Sequence, residues 1–451
     1  MNLDDLQTTY PEFVFEKTEV DFGADLELRF YFSCGEQSFV SKYILENAKV
    51  ADENKEAIKR LAFHIGMAEI PSYWKAFCSP KIVIKAGKLD SEQTKFWQKL
   101  FFFGMGEFFF MNHFKPFQTE IVSQSHEDTS VKFNGSLDES SVLVPVGGGK
   151  DSVVSLELIS KHDFKISTYS GHVGASENVI QTYAELHKLE KDYVGKRILD
   201  PHLFELNRTG HPNGHTPFSS VLAFETLLVG YLAGSKYIVL SNEGSANEPT
   251  AQYEGIPVNH QYSKTFEFEK DFKNYVEHSM AGVPEYFSFM RPLYELQIVK
   301  LFSNYKEYFR QFKSCNRGQK TNAWCGECPK CVFVALLLSA FVDDDVIFKI
   351  WGKNPLNAEK NIPIMEELLG FTPYKPFECV GTVLESGAAA YLGWKKREGK
   401  NQPLVFTHYE KWIRENESML RENSEMILKQ FSNEHELPSQ FLTILKRSLS
   451  S

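Results

Sequence analysis

Residues 141–160 read SVLVPVGGGKDSVVSLELIS, in which Gly147, Gly148 and Gly149 run straight into Lys150, Asp151 and Ser152. Val142, Leu143, Val144 and Val146 form an apolar run too short for a helix, and Val153, Val154, Leu156, Leu158 and Ile159 follow with helical spacing. A turn without side chains therefore joins a buried strand to a helix start, and several backbone N–H groups can point at one anion. The chemistry this predicts is phosphate binding, with ATP as the ligand. Two other glycine patterns fit badly. A Walker loop carries Ser or Thr after its lysine, where this chain has Asp151, and a dinucleotide fingerprint carries Gly or Ala where Ser152 stands.

Cys315, Cys325, Cys328 and Cys331, in SCNRGQKTNAWCGECPKC, make a second centre. Two-residue gaps let thiolates converge on one tetrahedral ion, and the longer loop brings in the fourth. Four thiolates leave no open position, so the site reads as structural zinc, with an iron–sulfur cluster as the competing occupant. A closed site would pin the loop carrying Asn316, Arg317 and Lys320 against a helix predicted over 332–341.

Polar groups gather where strands are expected to end. His211, Asn213 and His215 precede a predicted helix for which Thr216 is a possible N-cap. Asn242, Glu243 and Asn247 lie in SNEGSANEP, and Asn259, His260, Gln261, Tyr262, Ser263 and Lys264 follow. Two polar loops flanking a phosphate cradle suit the walls of a second substrate site. Arg291, Lys313 and Arg317 are candidates for a substrate phosphate or carboxylate. Cys34 and Cys78 read as buried apolar residues, while Cys379 has polar or small neighbours in KPFECVGT.

These groups need elements to hold them. Alternation over 13–43 predicts a small antiparallel sheet, followed by a helix over 51–68, a strand over 82–84 and one aromatic helix over 92–111. A polar linker is expected over 123–138. From Ser141 strand and helix signals alternate, with strands over 164–169, 197–199 and 236–240 and helices over 178–189 and 217–232. That order predicts a mostly parallel, Rossmann-like α/β sheet, and the final hundred residues read as helices. The expected division is an N-terminal α+β domain over 1–130, the phosphate-binding domain with its cysteine site over 131–345 and a mostly helical region over 346–451.

The 451 residues carry 49 basic and 59 acidic side chains, a net charge of -10, which argues against nucleic acid as the main partner. The longest apolar stretch, 332–342, is too short to span a bilayer, and the polar, acidic residues 1–10 do not read as a secretory leader. Four of seven cysteines within seventeen residues point to metal rather than to an oxidising compartment. The expectation is a cytoplasmic protein acting on small molecules, with neither nucleic acid nor membrane as partner.

GGGKDS resembles the PP-loop of the N-type ATP pyrophosphatases, whose usual form is Ser-Gly-Gly-x-Asp-Ser; Gly147 replaces the serine and removes a hydroxyl donor. In that superfamily the loop holds the β- and γ-phosphates while a substrate oxygen attacks the α-phosphate. The resemblance implies ATP and Mg2+, with Gly147 to Ser152 as the loop, Asp151 helping to hold the metal and Lys150 or Ser152 stabilising the departing pyrophosphate. HPNGHTPF, LSNEGSANE, VNHQYSK, SCNRGQK, WCGECPKC and KPFECVGT, with SYWKAFCSP and GMGEFFFMN upstream, resemble the MurL family of ATP-dependent UDP-N-acetylmuramoyl-L-alanyl-L-glutamate epimerases up to about residue 385. That likeness implies inversion of the terminal L-Glu of UDP-MurNAc-L-Ala-L-Glu to D-Glu, with release of AMP and diphosphate, in peptidoglycan synthesis and hence cell-wall biogenesis and cell shape. Adenylating the α-carboxylate removes the charge that makes the neighbouring proton so hard to abstract. No acid or base carries over by motif, so the titratable groups of these phrases, His215, His260, Lys264 and Cys379, are the catalytic candidates. Asn242, Glu243, Asn247, Arg291 and Arg317 are the substrate-binding candidates. The 7-cyano-7-deazaguanine synthases share the loop and the cysteine cluster but resemble the central region alone.

Overall fold

The computed structural model describes residues 2–171, 174–318 and 321–450. Lys320 lies outside them. After α1 (Leu3–Thr9), the alternating stretch forms β1 (Glu12–Phe22), β2 (Leu26–Cys34) and β3 (Gln37–Leu45), paired antiparallel with Val14 opposite Ser33 and Leu28 opposite Tyr43. Along β2 every second residue is buried, so Leu26, Leu28, Phe30, Phe32 and Cys34 share one face. That face meets α2 (Lys55–Trp74), where the Phe15 and Phe63 rings stack at 5.9 Å. β4 (Lys81–Ile84) adds parallel to β1 and β5 (Glu120–Ser123) parallel to β4.

The aromatic segment is not one helix. α3 (Ser91–Gly104), opened by an Asp90 capping box, stops at Met105, and α4 (Gly106–Met111) starts afresh. Past β6 (Val131–Lys132) come β7 (Asp138–Pro145), α5 (Lys150–Ile159), β8 (Lys165–Ser170), α6 (Gly174–Leu186), β9 (Lys191–Ile198), α7 (Pro201–Arg208), α8 (Phe218–Leu232) and β10 (Ser235–Leu240). β11 (Ala251–Tyr253), β12 (Ile256–Val258), α9 (Phe266–Ser279), β13 (Met280–Ala281) and β14 (Glu285–Ser288) follow, then α10 (Glu295–Phe302) and α11 (Pro329–Ser339). The chain ends in α12 (Asp344–Trp351), α13 (Ile362–Leu368), α14 (Val383–Lys396), α15 (Leu404–Glu415), α16 (Glu417–Lys429) and α17 (Ser439–Ser450).

The protein is thus mixed α/β. One run of strands is β14-β10-β7-β8, in which β10 and β7 are parallel; the other is β9-β3-β2-β1-β4-β5. β9 departs from the expected short parallel strand. It is longer and pairs antiparallel with β3, Arg197 opposite Tyr43. The reason lies in Arg197, whose guanidinium grips the buried Glu69 of α2 in two-pronged fashion at 2.6 and 2.9 Å. Thr216 does not cap α8; Pro217 occupies that position without a side-chain bond.

Two units emerge, each discontinuous in sequence. The first holds residues up to Leu143 with Lys191–Ile238 and Gln252–Tyr286; the second holds Val144–Glu190, Val239–Ala251 and the chain from Phe287 onward. No helix among the described residues is long and apolar enough to cross a membrane.

Candidate functional site

In the second unit, the three glycines join β7 to α5. Gly148 has φ +84, and a Cβ there would stand 2.5 Å from the carbonyl carbon of Ala175 and 2.7 Å from the Ser176 nitrogen, so only glycine fits. Gly147 has nothing within 4 Å of its notional Cβ and leaves open space beside the turn. Gly149 is the N-cap of α5 and offers no side chain to it. The Lys313 N–H donates to the Gly148 carbonyl at 2.8 Å, and the Ser152 hydroxyl donates to Gly149 at 3.0 Å. The turn thus meets the start of α5 with no side-chain cap, leaving the helix N-terminus to its backbone N–H groups.

Lys150 does not reach into that space. Its side chain is buried, ion-paired to Asp151 Oδ1 at 2.5 Å and to Glu295 Oε2. Burial works against its charge, yet the two carboxylates hold its pKa above the ordinary lysine value. Glu295 in turn has Lys330 Nζ 3.7 Å from its Oε1, and Lys330 Nζ also donates to the Cys379 carbonyl. The Lys330 N–H donates to Glu378 Oε2 at 2.8 Å. Cys379 is thus brought near the glycine-loop cluster by its backbone.

Lys330 sits between two members of the cysteine cluster. Sγ atoms of Cys315 and Cys328 are 3.9 Å apart and those of Cys325 and Cys331 3.7 Å. Four sulfurs about 2.3 Å from one tetrahedral ion stand about 3.8 Å from each other, so the cluster fits a single ion such as zinc. Backbone N–H groups of Gly318, Cys325, Gly326 and Glu327 point at the sulfurs at 3.2 to 3.4 Å, which favours thiolates.

Of the remaining predicted groups of this unit, Arg291 and the loop of Glu243 are joined directly. The Arg291 guanidinium is buried and donates to the Glu243 carbonyl at 2.8 Å, and Asn242 donates to the Ser288 hydroxyl, so Arg291 braces the loop from within. Asn247 is half-buried, and Arg317 is exposed beside Cys315. Lys375 binds Glu248 at 2.6 Å and the Gly381 carbonyl at 3.2 Å, tying this loop to the segment before α14.

The first unit gathers His215, His260 and Lys264 around two residues the sequence did not single out, Glu107 and Lys75. Glu107 lies in the first turn of α4, and its Oε2 is 2.5 Å from His260 Nδ1 and 3.8 Å from His215 Nδ1. The two imidazole rings are 4.3 Å apart. Burial, then the charges of His260, Lys264 and Lys75, push His215 down to about 3, so it is neutral near pH 7. Lys75, the C-cap of α2, donates to the Gly214 carbonyl at 2.9 Å and is drawn down to about 8, chiefly by burial. Glu107 and the histidines are close enough to share a cation, but 2.5 Å is shorter than the roughly 3.3 Å between two ligands about 2.0 Å from one ion. Their spacing is that of hydrogen-bonded side chains. One signal in the sequence marked Glu107: it is a lone carboxylate inside the aromatic run GEFFF. Lys75 similarly stands alone between Trp74 and Phe77.

Cys34 and Cys78 are buried, with thiols pushed up to about 11 and 12 by burial.

Comparison with known proteins agrees with these phrases. The family model described as the MurL N-terminal domain matches residues 5–289, and that of the MurL C-terminal domain matches residues 311–423. The chain is similar to the UDP-N-acetyl-alpha-D-muramoyl-L-alanyl-L-glutamate epimerase of Xanthomonas oryzae pv. oryzae (strain MAFF 311018), with 34% identity over 375 residues, 81% of each chain. Proteins of the same name from Micromonospora sp. (strain ATCC 39149 / NRRL 15099 / SCC 1413) and Salinispora tropica (strain ATCC BAA-916 / DSM 44818 / JCM 13857 / NBRC 105044 / CNB-440) are 34% and 30% identical, covering 74% and 82% of this chain and 74% and 81% of their own. Matched by both domain models and by relatives over most of their length, the chain belongs to the MurL family.

Proposed function

We propose that this protein epimerises the terminal L-glutamate of UDP-MurNAc-L-Ala-L-Glu to D-glutamate with cleavage of ATP to AMP and diphosphate, a cytoplasmic step of peptidoglycan precursor synthesis. The names of its relatives support the substrate, and the His215–His260–Glu107 cluster is the observation that carries the reaction type. A neutral imidazole against a second one held by a carboxylate suits proton transfer beside a carbonyl. Because no atom fits between rings 4.3 Å apart, the two histidines serve one face of the α-carbon together. The opposite face then needs another group, for which Lys264 of the same unit is the candidate.

The glycine loop of a PP-loop, Rossmann-like unit would supply the activation. An α-carboxylate oxygen attacks the α-phosphate of ATP, forming the acyl adenylate and releasing diphosphate; after the proton has left and returned, water cleaves the acyl–phosphate bond and frees AMP. Gly147 to Gly149 and Ser152 would cradle the outer phosphates, and Asp151, a quarter exposed, would hold Mg2+. The ion pairs of Lys150 support a holding role for it rather than contact with pyrophosphate. Asn242, Glu243, Asn247 and Arg317 would line the substrate, with Arg291 bracing their loop. The cysteines would hold structural zinc.

The test follows α-deuterium washout and pyrophosphate release side by side. The wild type should release pyrophosphate with the muramoyl dipeptide but not with a carboxy-deazaguanine and ammonia, while His215→Ala and His260→Ala lose washout by about 100-fold or more and still release pyrophosphate. Normal washout in both variants would remove the histidines, and release with the deazaguanine would remove the epimerase reading.

A further inference from the structure

Lys150, Glu295 and Lys330 form a buried charge chain whose side chains are 2%, 3% and 8% exposed. Burying ions solely for stability is a poor use of a core, since apolar residues of similar size usually do as well. What a buried ion pair adds is direction, because each charge accepts only a partner of opposite sign in one geometry. Here the direction is specific. Glu295 opens α10, with its N–H bonded to the Ser245 hydroxyl of the polar loop at 3.2 Å and the next N–H bonded to Glu385 Oε1 at 3.2 Å. One of its oxygens takes Lys150, the first residue of the helix after the glycines; the other faces Lys330, which lies between Cys328 and Cys331 and bonds the Cys379 carbonyl.

We propose that Glu295 is a positioning residue for nucleotide binding, setting the glycine loop through Lys150 and taking its own register from Lys330 and hence from the cysteine site. It touches no reacting atom. By occupying the Lys150 ammonium, it keeps that charge below the loop floor and leaves phosphate recognition to the backbone N–H groups and Ser152. By sharing its charge with Lys330, it links that floor to the segment of Cys379. Removing the carboxylate takes from the buried Lys150 ammonium one of the two carboxylates that hold it, so the first turn of α5 loses an anchor and shifts.

The inference rests on the loop being the nucleotide site, and the experiment separates the two. Titration calorimetry of the zinc-loaded, full-length protein with a nonhydrolysable ATP analogue and Mg2+ is run on the wild type, Glu295→Gln, Lys330→Met and the double variant. The expected result is affinity about 10- to 100-fold weaker in Glu295→Gln, with KM for ATP rising in step while KM for the muramoyl dipeptide stays unchanged. Lys330→Met should weaken binding less, and the double variant should match Glu295→Gln alone, because the two residues act in series. No binding by the wild type would overturn the loop reading and this inference with it. Binding by the wild type that is unchanged in Glu295→Gln, or losses that simply add, or an equal rise in both KM values would overturn the inference alone. Should Glu295→Gln fail to fold, as judged by its melting curve, Lys330→Met carries the test, and unaltered affinity there would overturn the proposal.

Discussion

Gly147 and Gly148 are neighbours under opposite constraints. Gly148 is held at φ +84 with the Ala175 backbone 2.5 Å from where a Cβ would be, whereas Gly147 has empty space beside it. Gly148→Ala should therefore abolish binding of the ATP analogue by calorimetry, while Gly147→Ser, which restores the hydroxyl of the usual PP-loop, should bind at least as well as the wild type. A Gly148→Ala protein that binds normally would contradict the cradle. At this scale the sequence was most legible where chemistry is contiguous. Six residues in a row mark the glycine turn and four cysteines in seventeen mark the sulfur cluster, because short spacing alone brings such groups together. Glu107 and Lys75 escaped because their partners His215 and His260 are more than a hundred residues away, and no local pattern encodes that meeting.

Among the elements, the break between α3 and α4 does the most for the first-unit cluster. Helical periodicity in the aromatic segment gave no reason to stop at Met105; the reason is tertiary. Gly104 lets Pro217 approach to 2.8 Å of a would-be Cβ, which brings the His215 loop against the start of α4, where Glu107 waits. Gly104→Leu should displace that loop and lower washout of the α-deuterium by about tenfold or more with nucleotide affinity retained, and normal washout would show that the close approach is dispensable. The same dependence on distant partners explains β9. Its alternation was visible only in part, and its place beside β3 is set by the Arg197–Glu69 pair.

Over the whole molecule, the strand and helix order and the helical C-terminal end were legible from periodicity, but the two units were not, since each is assembled from separated stretches and their limits fall inside β7, β10, β11 and β14. The first unit also buries His64, bonded to the Tyr275 hydroxyl and the Thr129 carbonyl and pushed down to about 4 by burial. His64 and His215 both titrate near 6.5 when unfolded, so between pH 6.5 and 4 the unfolded chain takes up protons that the native state refuses, and stability falls with pH. Each contributes up to about 1.4 kcal/mol per pH unit in that window. Denaturant melts at pH 7 and pH 5 should record the loss, and a flat profile would contradict the burial. The cysteines carry a last consequence. With two thiols sealed in the core at raised pKa and four committed to the cluster, a gentle alkylating dye offered to the metal-loaded protein finds Cys379 as its one ready target. A fluorophore placed there would watch, from beside Lys330, whatever the glycine turn does when it fills.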